Sequence, residues 1–170
     1  SLALKYSVYD SQFHFGMLFL IGQFVFFVCG KQKDKGQNKL YSLLIDKTFI
    51  KNDEKDLVQI ILPFGEGQLY TFRFNSHQKA NEFLLNIGFN NHQSGRLSEA
   101  EYAYQEALRL DCENAEVCNL LGVLKLQQNE VDSAIDWVEK AINRKPCEYY
   151  YETLFQAYIR CKKLHLGFPA

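Results

Sequence analysis

Residues 121–146 read LGVLKLQQNEVDSAIDWVEKAINRKP, and Gly122, Ala134, Ala141 and Pro146 stand 12, 7 and 5 residues apart within them. Upstream, IGFNNHQSGRLSEAEYAYQEALRLDC (residues 87–112) sets Gly88, Ala100, Ala107 and Cys112 at the same intervals, each 34 residues before its counterpart. A spacing that recurs at a fixed offset is an internal repeat, and a period of that length indicates stacked supersecondary units.

The small residues have a steric meaning. Two antiparallel helices joined by a tight turn approach closely where they cross, and Gly122 on the first with Ala134 on the second remove bulk at that crossing. Ala141 lies two turns beyond Ala134 on the same face and admits the first helix of the next unit, while Pro146 ends the second helix. Larger residues fill the remaining interior: Leu121, Trp137 and Val138 in one unit, Ile87 and Tyr104 in the other.

From residue 75 onward the apolar period is helical. Ala80, Phe83, Leu84 and Ile87 share a face, with Asn75 or Ser76 as N-cap and Gly95 at the end. Ser98 with Glu101 forms a candidate capping box for the second helix. The next unit runs through AEVCNLLGVLKLQQ, a turn, a cap at Asp132 and SAIDWVEKAINRK; EYYYETLFQAYIRCKKL then forms one further helix.

On these residues, 81–163 resembles the tetratricopeptide repeat. The family's small-residue positions fall on Gly88, Ala100 and Ala107, then on Gly122, Ala134 and Ala141. Its proline is Pro146 in one unit and Cys112 in the other. Two positions that are usually aromatic carry Leu84 and Asn91, then Cys118 and Lys125. The resemblance implies a helical hairpin stack whose concave groove is lined by Glu82, Leu85, Phe89, His92 and Gln93, then by Glu116, Asn119, Val123, Leu126 and Gln127. Such a groove is apolar with amide edges, suited to an amphipathic or extended peptide. Members that grip the C-terminal carboxylate of heat-shock proteins use Lys and Asn where this chain has Leu85 and Phe89, so that partner is disfavoured.

Residues 1–76 have a different period. ALKYSVY, MLFLI, FVFFV, KLYSLLI, TFIK, DLVQIIL and LYTFRF are short β-branched and aromatic runs between polar turns, as in a small barrel or sandwich. The passage LYTFRFNSHQKANEFLL, a strand leading straight into a helix, loosely resembles the end of a pleckstrin-homology-like barrel. The expected fold class is therefore α+β: an N-terminal small antiparallel β-barrel followed by a helical repeat stack. The expected domains are 1–76, with helix 77–93 shared with the first repeat; repeats at 77–114 and 115–148; a helix at 149–163; and a tail at 164–170.

Composition sets the outer limits. The chain has 170 residues, 47% hydrophobic and 23% charged, with a net charge of -1. No global attraction to nucleic acid follows, and none is expected as a partner. Phe15–Gly30 is strongly apolar but shorter than the roughly 20 residues a spanning helix requires, and Gly22 and Gln23 interrupt it. Five cysteines without a CxxC pair read as buried free thiols in a reducing, cytoplasmic setting. The start at Ser1 reads as a piece of a longer protein.

His14, His77, His92 and His165 are scattered, and no phosphate-binding glycine loop or nucleophile motif occurs. No enzyme activity, cofactor or metal site is expected. GKQKDKGQNK (residues 30–39) carries Lys31, Lys33, Lys35 and Lys39, which would suit an acidic lipid headgroup on a barrel of the suspected type. The sequence thus points to a non-enzymatic adaptor or scaffold that binds a protein or peptide in the repeat groove. A peripheral membrane module using the lysine loop and a constitutive subunit of a larger complex stand as alternatives.

Overall fold

The computed structural model describes side chains at Phe74 and across residues 76–162. For the strands before Phe74 and for residues 163–165 it describes the backbone alone. The strands are β1 (Leu4–Tyr9), β2 (Phe15–Ile21), β3 (Phe24–Cys29), β4 (Leu40–Leu44), β5 (Phe49–Glu54), β6 (Leu57–Phe64) and β7 (Gln68–Phe74). They pair antiparallel in the order β4-β3-β2-β1-β7-β6-β5, with a register shift between Lys51 and Glu54. The helices are α1 (His77–Gln93), α2 (Leu97–Leu110), α3 (Ala115–Gln127), α4 (Val131–Arg144) and α5 (Glu148–His165).

This corrects the expected fold class. Residues 77–162, where side chains are described, are helical throughout: five helices with no strand among them, an all-α array rather than α+β. The pleckstrin-homology-like barrel is not supported. Among the described pairings none joins β4 to β5, the two ends of the strand order. The side chains of residues 1–73 and the lysine loop lie outside the described residues. Alternating apolar residues identify strands, but closure depends on tilt and stagger, which alternation does not encode.

The chain divides into two compact units, Ser1–Ala103 and Tyr104–Ala170, with the boundary inside α2. In the first unit, α1 is capped by Ser76, whose hydroxyl accepts a hydrogen bond from the Lys79 backbone N–H at 3.1 Å. Ala80, Phe83, Leu84, Ile87 and Gly88 form its buried face. The helix lies against β6 and β7, and the rings of Phe74 and Phe83 stand 5.3 Å apart between centroids.

In the second unit, Asn114 caps α3 by accepting from the Val117 backbone N–H at 3.1 Å. The expected crossing is present: a Cβ added to Gly122 would meet the Val138 side chain closer than real Cβ contacts allow, and the Ala134 carbonyl oxygen at 3.2 Å. Ala141 gathers with Ala115, Cys118, Val138 and Tyr150, so α5 enters where that alanine leaves room. Further along, Leu126, Val131, Ala134 and Ala157 form a second cluster.

Two expected caps are corrected, and one geometry explains both. α2 begins at Leu97, placing Ser98 inside it, and α4 begins at Val131 with Glu130 as N-cap, placing Asp132 in the first turn. Each turn ends in a Schellman arrangement that carries the chain directly into the next helix. The Arg96 N–H donates to the Asn91 carbonyl at 3.0 Å, and the Glu130 N–H to the Lys125 carbonyl at 2.9 Å. Gly95 (φ 74°) and Asn129 (φ 64°), 34 residues apart, hold the left-handed conformation this motif requires.

Only the first turn uses the residue that adopts that conformation without steric cost. Asn129→Gly is expected to raise stability by up to about 1 kcal/mol, and Gly95→Ala to lower it by about 1 kcal/mol. Urea midpoints at constant m-value check both signs.

Candidate functional site

The sequence-predicted groove residues fall on both units. On α1, Phe89 is 46% exposed and Gln93 is exposed, while Glu82, Leu85 and His92 are half-buried. Leu85 and Phe89 lie one turn apart and Phe89 and Gln93 another, so an apolar strip with an amide end runs along this helix. Glu82 is drawn sideways into an ion pair with Lys79 at 2.8 Å. On α3, Glu116 and Gln127 are exposed and Val123 is half-buried, but Asn119 and Leu126 are buried and present no surface. Asn119 Oδ1 is a buried acceptor without a hydrogen-bond donor among the described residues. Lys31, Lys33, Lys35 and Lys39 lie outside the described residues.

Two positions that break the family's aromatic preference turn out to be paired across their turns. Asn91 Oδ1 accepts from Arg96 Nε at 2.9 Å and Nη2 at 2.7 Å. Thirty-four residues on, Lys125 Nζ meets Glu130 Oε2 at 3.1 Å. The polarity is reversed but the link is the same: a polar clip from the end of one helix to the start of the next. The sequence signal was available, since both members of each pair shift by the repeat period, yet neither residue is conspicuous by itself.

Within the second unit, α5 is tied down by polar contacts at its far end. Arg160 Nη1 donates to the Leu126 carbonyl at 2.7 Å, satisfying one of the open carbonyls at the α3 C-terminus. The Tyr158 hydroxyl donates to Glu139 Oε1 on α4 at 3.1 Å, and that carboxylate first, then burial, pushes the phenol above its ordinary range. Arg144 reaches back from α4 to the Cys118 sulfur and lies 3.8 Å from the Glu113 carboxylate. Burial raises the Cys118 thiol, opposed by the nearby charges of Arg144 and Lys140, so it remains a protonated core group. Lys140 also stands 4.2 Å over the Trp137 ring.

The cysteine expectation needs amendment. Cys118 is buried and Cys161 half-buried, but Cys112 and Cys147 are exposed at the ends of α2 and α4. The side chain of Cys29 lies outside the described residues. Among the described residues no three His, Cys, Asp or Glu side chains gather as a metal site requires. Nor is any described helix long and apolar enough to cross a membrane.

Five helices follow one another along the chain, with a glycine notch where α3 crosses α4 and a 34-residue register shared by turns, clips and small residues. Residues 92–158 match the tetratricopeptide repeat family model. The match spans the end of α1, all of α2, α3 and α4, and most of α5. Comparison with curated proteins finds no match. Tetratricopeptide repeats are in general non-catalytic protein-interaction modules, and the matched segment accords with that role.

Sequence reasoning missed the large exposed aromatics of α5: Tyr149, Tyr151, Phe155 and Tyr158. The repeat register pointed the other way, because residues 34 positions earlier than Tyr151, Phe155 and Tyr158 are the fully buried Val117, Leu121 and Leu124.

Proposed function

We propose that this protein is a non-enzymatic adaptor that holds a segment of a partner protein against the first helix of a tetratricopeptide repeat, α1 foremost. The observation that carries the reading is Phe89, a large apolar side chain nearly half exposed on α1 with Leu85 one turn before it and Gln93 one turn after. An exposed aromatic set among half-buried apolar and amide groups is what an amphipathic or extended peptide anchors on. On α3, Val123 with Glu116 and Gln127 offers a second strip of the same character. Arg96 and Lys125 are already engaged with Asn91 and Glu130, which favours recognition by apolar contact and amide hydrogen bonding over the gripping of a terminal carboxylate.

The test is quantitative affinity capture from lysate with the wild-type chain, Phe89→Glu and Val123→Glu, after circular dichroism shows that each variant keeps its helix content. A partner held by the wild type should be retained at least about tenfold less by Phe89→Glu, since losing an aromatic anchor costs about 2 kcal/mol or more. Equal capture by all three chains moves the working surface away from the first helices and sinks the mechanism.

A further inference from the structure

An ion pair of the first repeat loses its cation in the second. On α1, Glu82 is neutralised by Lys79 at 2.8 Å. Thirty-four residues on, their counterparts are Glu116 and Glu113, so a second acid stands where the lysine stood. Arg144 lies 3.8 Å from Glu113, and Lys125, the one cation on α3, is held by Glu130 at 3.1 Å. Among the described residues no cation pairs with Glu116. The helix macrodipole favours an acid in the first turn of α3. That accounts for Glu116 itself and not for the replacement of its partner by a like charge.

The surroundings of Glu116 narrow what would neutralise it. Leu120, Val123 and Gln127 follow at steps of four, three and four residues and so share its face. Leu120 and Val123 are half-buried, while Glu116 and Gln127 are exposed. One turn from Glu116, Asn119 is 1% exposed, and its Oδ1 has no donor among the described residues. The two open polar atoms at this end of the strip are therefore both acceptors, and a buried acceptor without a donor is costly. The carboxylate also acts on the interior. After burial, it is the second cause that holds the Tyr104 phenol above its ordinary range, and it contributes to the rise at Tyr150 behind burial and Cys147. A charge this close to buried groups is less screened by water and gains more from an opposite charge.

We propose that the partner segment held on α3 is basic and apolar: an arginine or lysine pairs with Glu116, and an apolar residue beside it seats on Leu120 and Val123. This names the partner's chemistry at the second strip of the groove and rests on the function proposed above. Arginine suits the place better than lysine. Its guanidinium carries five N–H donors and no acceptor, so it can hold the carboxylate with donors to spare for the Asn119 oxygen. An acidic segment is repelled, since it meets the unpaired Glu116 with Glu113 beside it.

Selection from a displayed library of random peptides on the 170-residue chain tests it. Peptides kept by the wild type and lost by Val123→Glu should carry Arg or Lys next to an apolar residue. Synthesised singly, such a peptide should bind Glu116→Gln at least about tenfold more weakly, as expected when one partner of a partly desolvated charge pair is removed. Its affinity for the wild type should also fall with added salt. Glu116→Lys should turn the selection towards acidic peptides. Circular dichroism should show unchanged helix content in both variants, because the residue is exposed. Val123-dependent peptides without a basic preference, or a basic peptide indifferent to Glu116→Gln, overturn the proposal and leave the groove function standing. A selection that yields no Val123-dependent peptide overturns both.

Discussion

Replacing Tyr104 with Ala lowers the stability of the protein by about 3–5 kcal/mol, the range for deleting a fully buried aromatic side chain. Among the described residues with no solvent exposure, Tyr104 has the largest side chain. A domain of this size has about 5–15 kcal/mol in total, so the variant is expected to lose a large part of its cooperative unfolding transition in urea.

The conservative Tyr104→Phe separates the ring from the hydroxyl through pH. Burial, and secondarily the Glu116 carboxylate, hold this phenol well above its ordinary value of about 10. The folded chain therefore keeps a proton that the unfolded chain releases. The contribution is fully present below about pH 10 and is lost as pH rises beyond it towards the folded-state value. Between about pH 8 and about pH 11 the wild-type urea midpoint should fall more steeply than that of Tyr104→Phe. Equal slopes would mean that the phenol does not retain its proton in the folded state.

Gly122→Leu should cost about 1–3 kcal/mol or more, since it forces a side chain into a packed crossing. Gly122→Ala is the sharper test because its sign is in contention. In an exposed helix interior this change stabilises by about 1 kcal/mol. Here the new Cβ meets the Val138 side chain and the Ala134 carbonyl. Val138 is β-branched and nearly locked in one rotamer within a helix, and the carbonyl belongs to the α4 backbone. Neither neighbour can yield cheaply, so a net loss is expected. Pairing Gly122→Ala with Val138→Ala removes one of the two obstacles, and the double variant should be less destabilised than the sum of the single changes. Strict additivity would place the clash elsewhere.

Much of the helical half was legible because its determinants are local or periodic. Gly122, Ala134 and Ala141 announced a crossing and a docking position through spacing alone, and the structure puts Ala134 under Gly122 and Tyr150 beside Ala141. The cap of α1 was legible to within one residue, Asn75 or Ser76, because a side-chain oxygen meeting a backbone N–H is a short-range event, and the structure selects Ser76. The caps assigned to Ser98 and Asp132 went wrong for a physical reason. The turn before each helix already supplies helical geometry through the left-handed Gly95 and Asn129, so neither helix needs a side-chain cap at those residues. The expected α+β class is corrected because residues 77–162, where side chains are described, are all helical, and the side chains of residues 1–73 lie outside the described residues.

Among the candidate site residues, position within the repeat placed Phe89 and Gln127 on the surface and also nominated Asn119 and Leu126, which are buried. Burial depends on what packs from outside the helix, and no pattern along α3 carries that information. The α5 aromatics show the converse. In sequence they match a face that is buried one repeat earlier, and only the packing of Tyr150, Leu154, Ala157 and Cys161 shows that the stripe from Tyr151 to Tyr158 is left facing water. The sequence by itself determined the repeat, its register and the close approach of α3 to α4, because each follows from which positions lack a side chain. Tertiary structure decided which equivalent faces are covered and which are open, because exposure belongs to the neighbours of a residue and not to the residue.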